Sequence, residues 1–145
     1  MPVDYPFTDE DLYQIAAMVY GEMGSKDPEH WKVALSAFLN SIGQAEWKNL
    51  TPQQILQKRF YAVSRQNDPY KWAVTKQFPN KDEENRFKKI LSFVSAAVRG
   101  KVDLLPNQFY FTKGEISKLK KNKSFNFDLV VPVGKIGRYY LYKYK

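Results

Sequence analysis

A chain of 145 residues with no cysteine forms no disulfide and no thiolate metal site, and its one histidine, His30, does not by itself make a zinc site. One domain of that length buries about two thirds of its unfolded surface, so residues 1–145 are expected to form a single domain, with no cofactor implied. The net charge of +8, from 23 Lys and Arg against 15 Asp and Glu, favours polyanionic partners such as nucleic acid, anionic wall polymer or a phospholipid surface, without choosing among them.

No apolar stretch approaches the length of a membrane span, and the opening MPVDYPFTDEDLY has no basic start followed by an apolar run. The expectation is a protein made in the cytoplasm without its own signal peptide. In chain order, Thr8 with Asp11 reads as a helix start leading to a helix over about residues 9 to 22. Asp27-Pro28 is a cap followed by a proline at the first helical position, and Trp31, Ala34, Leu35, Phe38, Leu39 and Ile42 form an apolar stripe that stops at Gly43. Thr51-Pro52-x-Gln54 is a capping box for a short helix to about Lys58. Phe60 to Asn80, with two prolines and several amides, reads as an irregular surface segment holding one helical turn at most. Asp82 opens a long amphipathic helix that buries Phe87, Ile90, Leu91, Val94, Ala97 and Val98 and ends at Gly100.

Beyond Gly100 the period changes. QFYFT and RYYLYKY alternate in part, FDLVVPV is β-branched, and Gly134-Lys135-Ile136-Gly137 supplies a turn. The fold class expected is α+β, mainly α-helical with a small C-terminal antiparallel sheet or hairpin.

Glu22 is the residue that asks for chemistry. Leu12, Ile15, Ala16 and Val19 recur on one helix face, and Glu22 continues that face. A carboxylate is rarely placed inside without a partner or a task. Burial and the negative end of the helix dipole both push its pKa up, and an acid kept protonated near neutral pH is what glycosidic cleavage requires of a proton donor. Gly21 and Gly24 flank it and would let a bulky ligand approach. The pattern equally allows a helix that stops earlier, with Glu22 solvated in a turn or paired with an arginine.

The run VYGEMGSKDPEHWKVALSAFLNSI resembles the opening of the SleB-type cell-wall hydrolases, the spore-cortex lytic enzyme family. There an apolar helix ends in Tyr-x-Glu (here Tyr20 and Glu22) and a second ends in Leu-Asn (here Leu39 and Asn40), with Pro28 and Glu29 between. QKRFYAV around Phe60 is similar to the family's Gln-Phe-Ser segment, NQFYF to its His-Phe segment, and KIGRYYLY to its closing Ile-Gly-x-x-x-Tyr stretch. The chain departs from the pattern at Gly24-Ser25-Lys26-Asp27, at Ser41 where an arginine is usual, at Tyr61, and at Leu105-Pro106-Asn107. The resemblance implies a lysozyme-like fold and cleavage of peptidoglycan glycan strands with Glu22 as catalytic acid.

A second carboxylate would come from Asp27, Glu46, Asp68 or Asp103, none of which a motif singles out. One carboxyl suffices for a lytic transglycosylase, in which the sugar's own 6-hydroxyl is the nucleophile, and the resemblance implies that mechanism. A hydrolytic muramidase is the close alternative. Phe60, Tyr61, Tyr110 and Tyr139 are candidates for stacking on sugar and Asn107 for an acetamido group, while His30 reads as a surface residue and Asn40 as either a buried amide or a ligand. Two non-enzymatic readings remain. One is a basic nucleic-acid binder using the aromatic strands and the lysine run Lys118 to Lys123. The other is a lysozyme-like domain that only binds glycan in a phage particle. An enzyme of this kind made without a signal is expected to be phage-encoded and to reach the wall through lysis, a holin or packaging in a virion.

Overall fold

In the computed structural model the described residues are 5–42, 44, 48–106, 108, 110–112 and 130–144. They form six helices, α1 (Asp9–Glu22), α2 (Pro28–Ser41), α3 (Pro52–Arg59), α4 (Tyr61–Ser64), α5 (Asp68–Thr75) and α6 (Lys81–Val98), followed by strands β1 (Tyr110–Thr112), β2 (Val130–Ile136) and β3 (Tyr139–Tyr144). The class is α+β, mostly helical with a small antiparallel sheet, as expected.

The helix starts follow local hydrogen-bonding chemistry. The Thr8 hydroxyl accepts the Asp11 N–H at 3.1 Å while the Asp11 carboxylate accepts the Thr8 N–H at 2.9 Å, a reciprocal box that Thr51 and Gln54 repeat ahead of α3. Asp27 caps α2 by accepting the Glu29 N–H at 3.0 Å, with Pro28 at the head of the helix. Asn80 caps α6 through the Glu83 N–H at 2.9 Å. The segment from Phe60 to Asn80 is more ordered than its sequence suggests, because it carries the same device again. Asn67 accepts the Tyr70 N–H at 3.1 Å, Pro69 stands in the first turn, and α5 closes on Lys76 in the left-handed conformation at φ 59.

Helix α1 is the centre of the molecule. Ala16, Ala17, Met18, Val19 and Tyr20 are five consecutive residues with no exposed surface, so this part of the helix is apolar on every side rather than along one stripe. The cause is its neighbours, since α2, α3, α4, α5 and α6 all pack on it. Trp31, Leu35, Phe38 and Leu39 of α2 and Phe87, Ile90 and Val94 of α6 complete the same core.

The sheet order is β1-β3-β2, both pairings antiparallel, with Phe111 opposite Leu141 and Ile136 opposite Tyr139. The expected turn over Gly134 to Gly137 is displaced. β2 continues through Gly134 to Ile136, its ladder shifts register between Pro132 and Gly134, and the reversal falls on Gly137-Arg138 with Gly137 at φ 56. Proline has no ladder N–H, which explains an irregularity on this edge strand. Tyr139 and Leu141, two apart on β3 and so on one face, enter the helical core.

Asn40 ties the helices to the approach of β1. Its amide donates to the Leu105 and Gln108 carbonyls, both at 2.8 Å, and Ser36 of the same helix accepts the Leu105 N–H at 3.0 Å. Asn40 is therefore a buried structural amide, one of the two roles its position allowed.

Candidate functional site

Glu22 is the last residue of α1, where the buried helix comes out toward solvent, and it is half-buried. Its Oε1 accepts the backbone N–H of Ala62 at 2.9 Å, across 40 residues of chain. Ala62 lies in the first turn of α4, whose amide N–H groups have no partner within their own helix. The carboxylate thus supplies a bond that α4 needs, and the same bond fixes the orientation of the carboxyl group.

The chain around Glu22 is held by three further contacts. Asn67 donates from Nδ2 to the Gly21 carbonyl at 2.9 Å, so the residue that caps α5 also clamps the end of α1. Arg86 donates from Nη1 to the Gly24 carbonyl at 2.7 Å and pairs with Glu83 at 3.1 Å. Glu83 in turn accepts the hydroxyl of Tyr20. Burial first, and then Glu83, pushes the Tyr20 hydroxyl well above its ordinary value of 10.0, so it stays a proton-bearing donor.

The two flanking glycines serve the protein's own packing. A Cβ on Gly21 would stand 2.7 Å from the Ala62 Cβ and 2.9 Å from Asn67 Oδ1, and one on Gly24 would stand 3.1 Å from the Tyr20 carbonyl oxygen. Glycine at 21 is what lets α1 and α4 approach closely enough for the Glu22 to Ala62 bond.

His30 is not a free surface residue. It is half-buried, its Nδ1 lies 2.9 Å from Ser25 Oγ, its Nε2 3.8 Å from Asp27 Oδ2, and its ring meets Tyr139 edge-on at 5.2 Å. These contacts join the first turn of α2 to the β2–β3 hairpin.

The proposed sugar-contacting residues separate. Phe60 is 3% exposed, with Phe38 at 6.2 Å between ring centres and the Arg59 guanidinium at 5.5 Å. Tyr139 is equally closed, between His30 and Phe111. Neither has a face open to a ligand, which corrects the expectation for both: the positions are aromatic because the core is there. Tyr61 is different, 65% exposed and adjacent in sequence to the residue that holds Glu22. Tyr110 lies in β1 opposite Tyr142, its side chain outside the described part of the structure. Asn107, Glu46 and the run Lys118 to Lys123 also lie outside the described residues.

Of the other acids, Asp27 is occupied as a cap, Asp68 is exposed in the first turn of α5, and Asp103 is exposed beyond α6. Among the described residues no three His, Cys, Asp or Glu gather as a metal site, and no helix is long and apolar enough to cross a membrane. Ala62, Asn67 and Arg86, which secure the surroundings of Glu22, were not evident from the sequence. Only Asn67 carried a signal there, as a capping residue two positions before a proline. Compared with protein-family models, curated proteins and solved structures, the chain matches none.

Proposed function

We propose that the protein cleaves the glycan strands of bacterial peptidoglycan at the MurNAc-GlcNAc bond, as a lytic transglycosylase on a lysozyme-like fold, with Glu22 as its acid. The observation that carries this reading is the placement of Glu22: a half-buried carboxyl at the end of a helix that is closed on all sides from Ala16 to Tyr20, held in one orientation by the Ala62 N–H. A group that must give a proton to the glycosidic oxygen and then take one from the neighbouring 6-hydroxyl gains from being fixed in this way. The residue-level likeness to the SleB-type hydrolases points to the same side chain.

In this mechanism the Glu22 carboxyl protonates the glycosidic oxygen as the bond from C1 of MurNAc breaks. The resulting carboxylate then accepts the proton of the MurNAc 6-hydroxyl while O6 bonds to C1. The proton count closes on one residue, and the product is a 1,6-anhydro end. Asp27, Asp68 and Asp103 have the surroundings of ordinary capping and surface acids, which agrees with a route that asks for one carboxyl. Acting on the wall, such an enzyme reaches its substrate after lysis, through a holin or as a virion component, as expected of a phage-encoded protein.

Incubation with purified peptidoglycan followed by mass analysis of the released muropeptides tests the proposal. Anhydro-muramic ends are expected. Reducing ends would replace the transglycosylase with a hydrolytic muramidase using the same acid, and no release from several wall types would remove the enzymatic reading.

A further inference from the structure

We infer that Tyr61 and Arg65 form a subsite for a sugar that carries a carboxylate, so that the substrate is recognised by its acidic substituent as well as by its ring. The inference rests on the glycan-cleaving reading above and specifies which glycans that site takes.

Tyr61 is the most exposed large apolar side chain among the described residues, at 65%. Tyr61 directly precedes the residue whose N–H holds the Glu22 carboxyl, and an aromatic ring left this open at that point of the chain offers a stacking surface to a ligand that reaches Glu22. Arg65, one turn further on, places its guanidinium carbon 5.0 Å from the centre of the Tyr61 ring. The cation covers one side of the ring and leaves the rest of it open.

Arg65 differs from the arginines that build the structure. Arg59 donates to the Ala37 carbonyl at 2.9 Å and to Ser41, and Arg86 joins Gly24 to Glu83. Among the described residues the Arg65 side chain makes no hydrogen bond and no ion pair; its one recorded contact is with Tyr61. A guanidinium lying against an aromatic ring has its N–H donors directed along its own plane, a fork that fits a carboxylate with two parallel bonds. The net charge of +8 favours the approach of an anionic ligand in general.

On a peptidoglycan strand a carboxylate has two sources with one chemistry: the lactyl group of muramic acid where no peptide is attached, and the stem peptide where it is. The test measures binding, in the Glu22→Gln background so that the ligand persists, of three soluble glycans: a chitooligosaccharide without carboxylate, a peptide-free muramic glycan, and a peptide-bearing one. Arg65→Gln is expected to weaken the carboxylate-bearing ligands about tenfold and leave the chitooligosaccharide unchanged. Tyr61→Ala is expected to weaken all three. Loss confined to the peptide-free ligand assigns the lactyl carboxylate, and loss confined to the peptide-bearing one assigns the stem. If the parent binds these glycans and Arg65→Gln binds them equally well, the carboxylate subsite is overturned while the glycan reading stands. If the parent binds none of them, the glycan reading falls and takes the subsite with it. Arg65 and Tyr61 are exposed, and matching circular dichroism of each variant with the parent establishes that the fold is intact.

Discussion

Helices α1 and α6 pack on one another yet use their surfaces in opposite ways. Tyr13 and Tyr20 of α1 meet Phe87 of α6 edge-on at 5.0 and 5.6 Å, so the two share a core. Along α6 only Phe87, Ile90, Val94 and Ala97 are buried, three or four residues apart; Leu91, Phe93 and Val98 flank that stripe half-buried, and Lys81, Asp82, Lys88 and Lys89 face water. Along α1 the second half is buried on all sides. The difference teaches that where a helix has no solvent face, as α1 from Ala16 to Tyr20, only its end can present chemistry, and α1 presents Glu22 there. A helix with a solvent face can hold carboxylates anywhere at little cost. Glu84 of α6 is such a residue, at the surface beside Lys81, whose hydrogen bond and charge hold its pKa below the usual value.

The largest effect that would sharpen the contrast is catalytic. Glu22→Gln keeps shape and removes the proton, and peptidoglycan turnover should fall by a factor of about 100 or more with the fold retained. Glu84→Gln should leave turnover as it is. Equal activity of the two variants in a muropeptide release assay would erase the distinction between the helices.

Truncation in the core comes next. Met18→Ala removes a side chain with no exposed surface from the middle of α1 and should cost about 3 kcal/mol in urea unfolding. Leu91→Ala, at a half-buried position of α6, should cost only about 1 kcal/mol. Similar losses at the two sites would mean that α6 is as central as α1.

A smaller change separates two glycines. Gly21→Ala would force a methyl into Ala62 and Asn67 and should destabilise by about 2 kcal/mol, disturbing the Glu22 tether as well. Gly134→Ala meets nothing within 4 Å and should shift stability by no more than about 0.5 kcal/mol. Thermal melts of both variants decide whether close approach at the end of α1 is required.

The smallest effect is a pH dependence at the α1–α6 contact. The Tyr20 hydroxyl has its pKa raised in the folded state, so folding holds its proton more tightly than the unfolded chain does. Its contribution to stability is complete below the unfolded value near 10.0 and declines as pH rises above it toward the folded value. Tyr13 and Tyr70 are raised by burial as well, so Tyr20→Phe should lessen the alkaline loss without abolishing it. At neutral pH the same variant should cost about 1 kcal/mol for the lost hydrogen bond to Glu83. An unaltered alkaline slope in denaturant titrations would remove Tyr20 as a contributor.

Much of the helical part was legible because its signals are local. Thr8 with Asp11, Asp27 with Pro28, and Thr51 with Gln54 each act within one turn, and each marks a helix in the structure. Helix α5 escaped notice although Asn67 and Pro69 mark its start in the same way, because it has only eight residues, of which Tyr70 and Ala73 are buried, too short a run for a repeat to stand out. The apolar stripe of α2 reads on to Ile42 in the sequence, while the structure places the last helical residue at Ser41 with Ile42 as its cap. At the site, the spacing from Ile15 and Val19 brought Glu22 to the helix end, but nothing local announces Ala62 as its partner. The aromatics were read least well. Phe60, Tyr61 and Tyr139 are alike in composition, and only the packing of distant elements decides that two of them are core and one is open.

The order of strands in the sheet carries a consequence for how the molecule comes together. β3 lies between β1 and β2, and it is the last of the three to leave the ribosome. Until Tyr139 to Tyr144 have emerged, β1 has no strand to pair with and β2 has only half of its hairpin. The helices all precede the strands in the chain and can gather around α1 earlier, leaving open the region that Tyr139 and Leu141 later fill. During synthesis the chain therefore passes through a stage with a nearly finished helical core and two unpaired edges, which is the interval when association with another strand is most favoured.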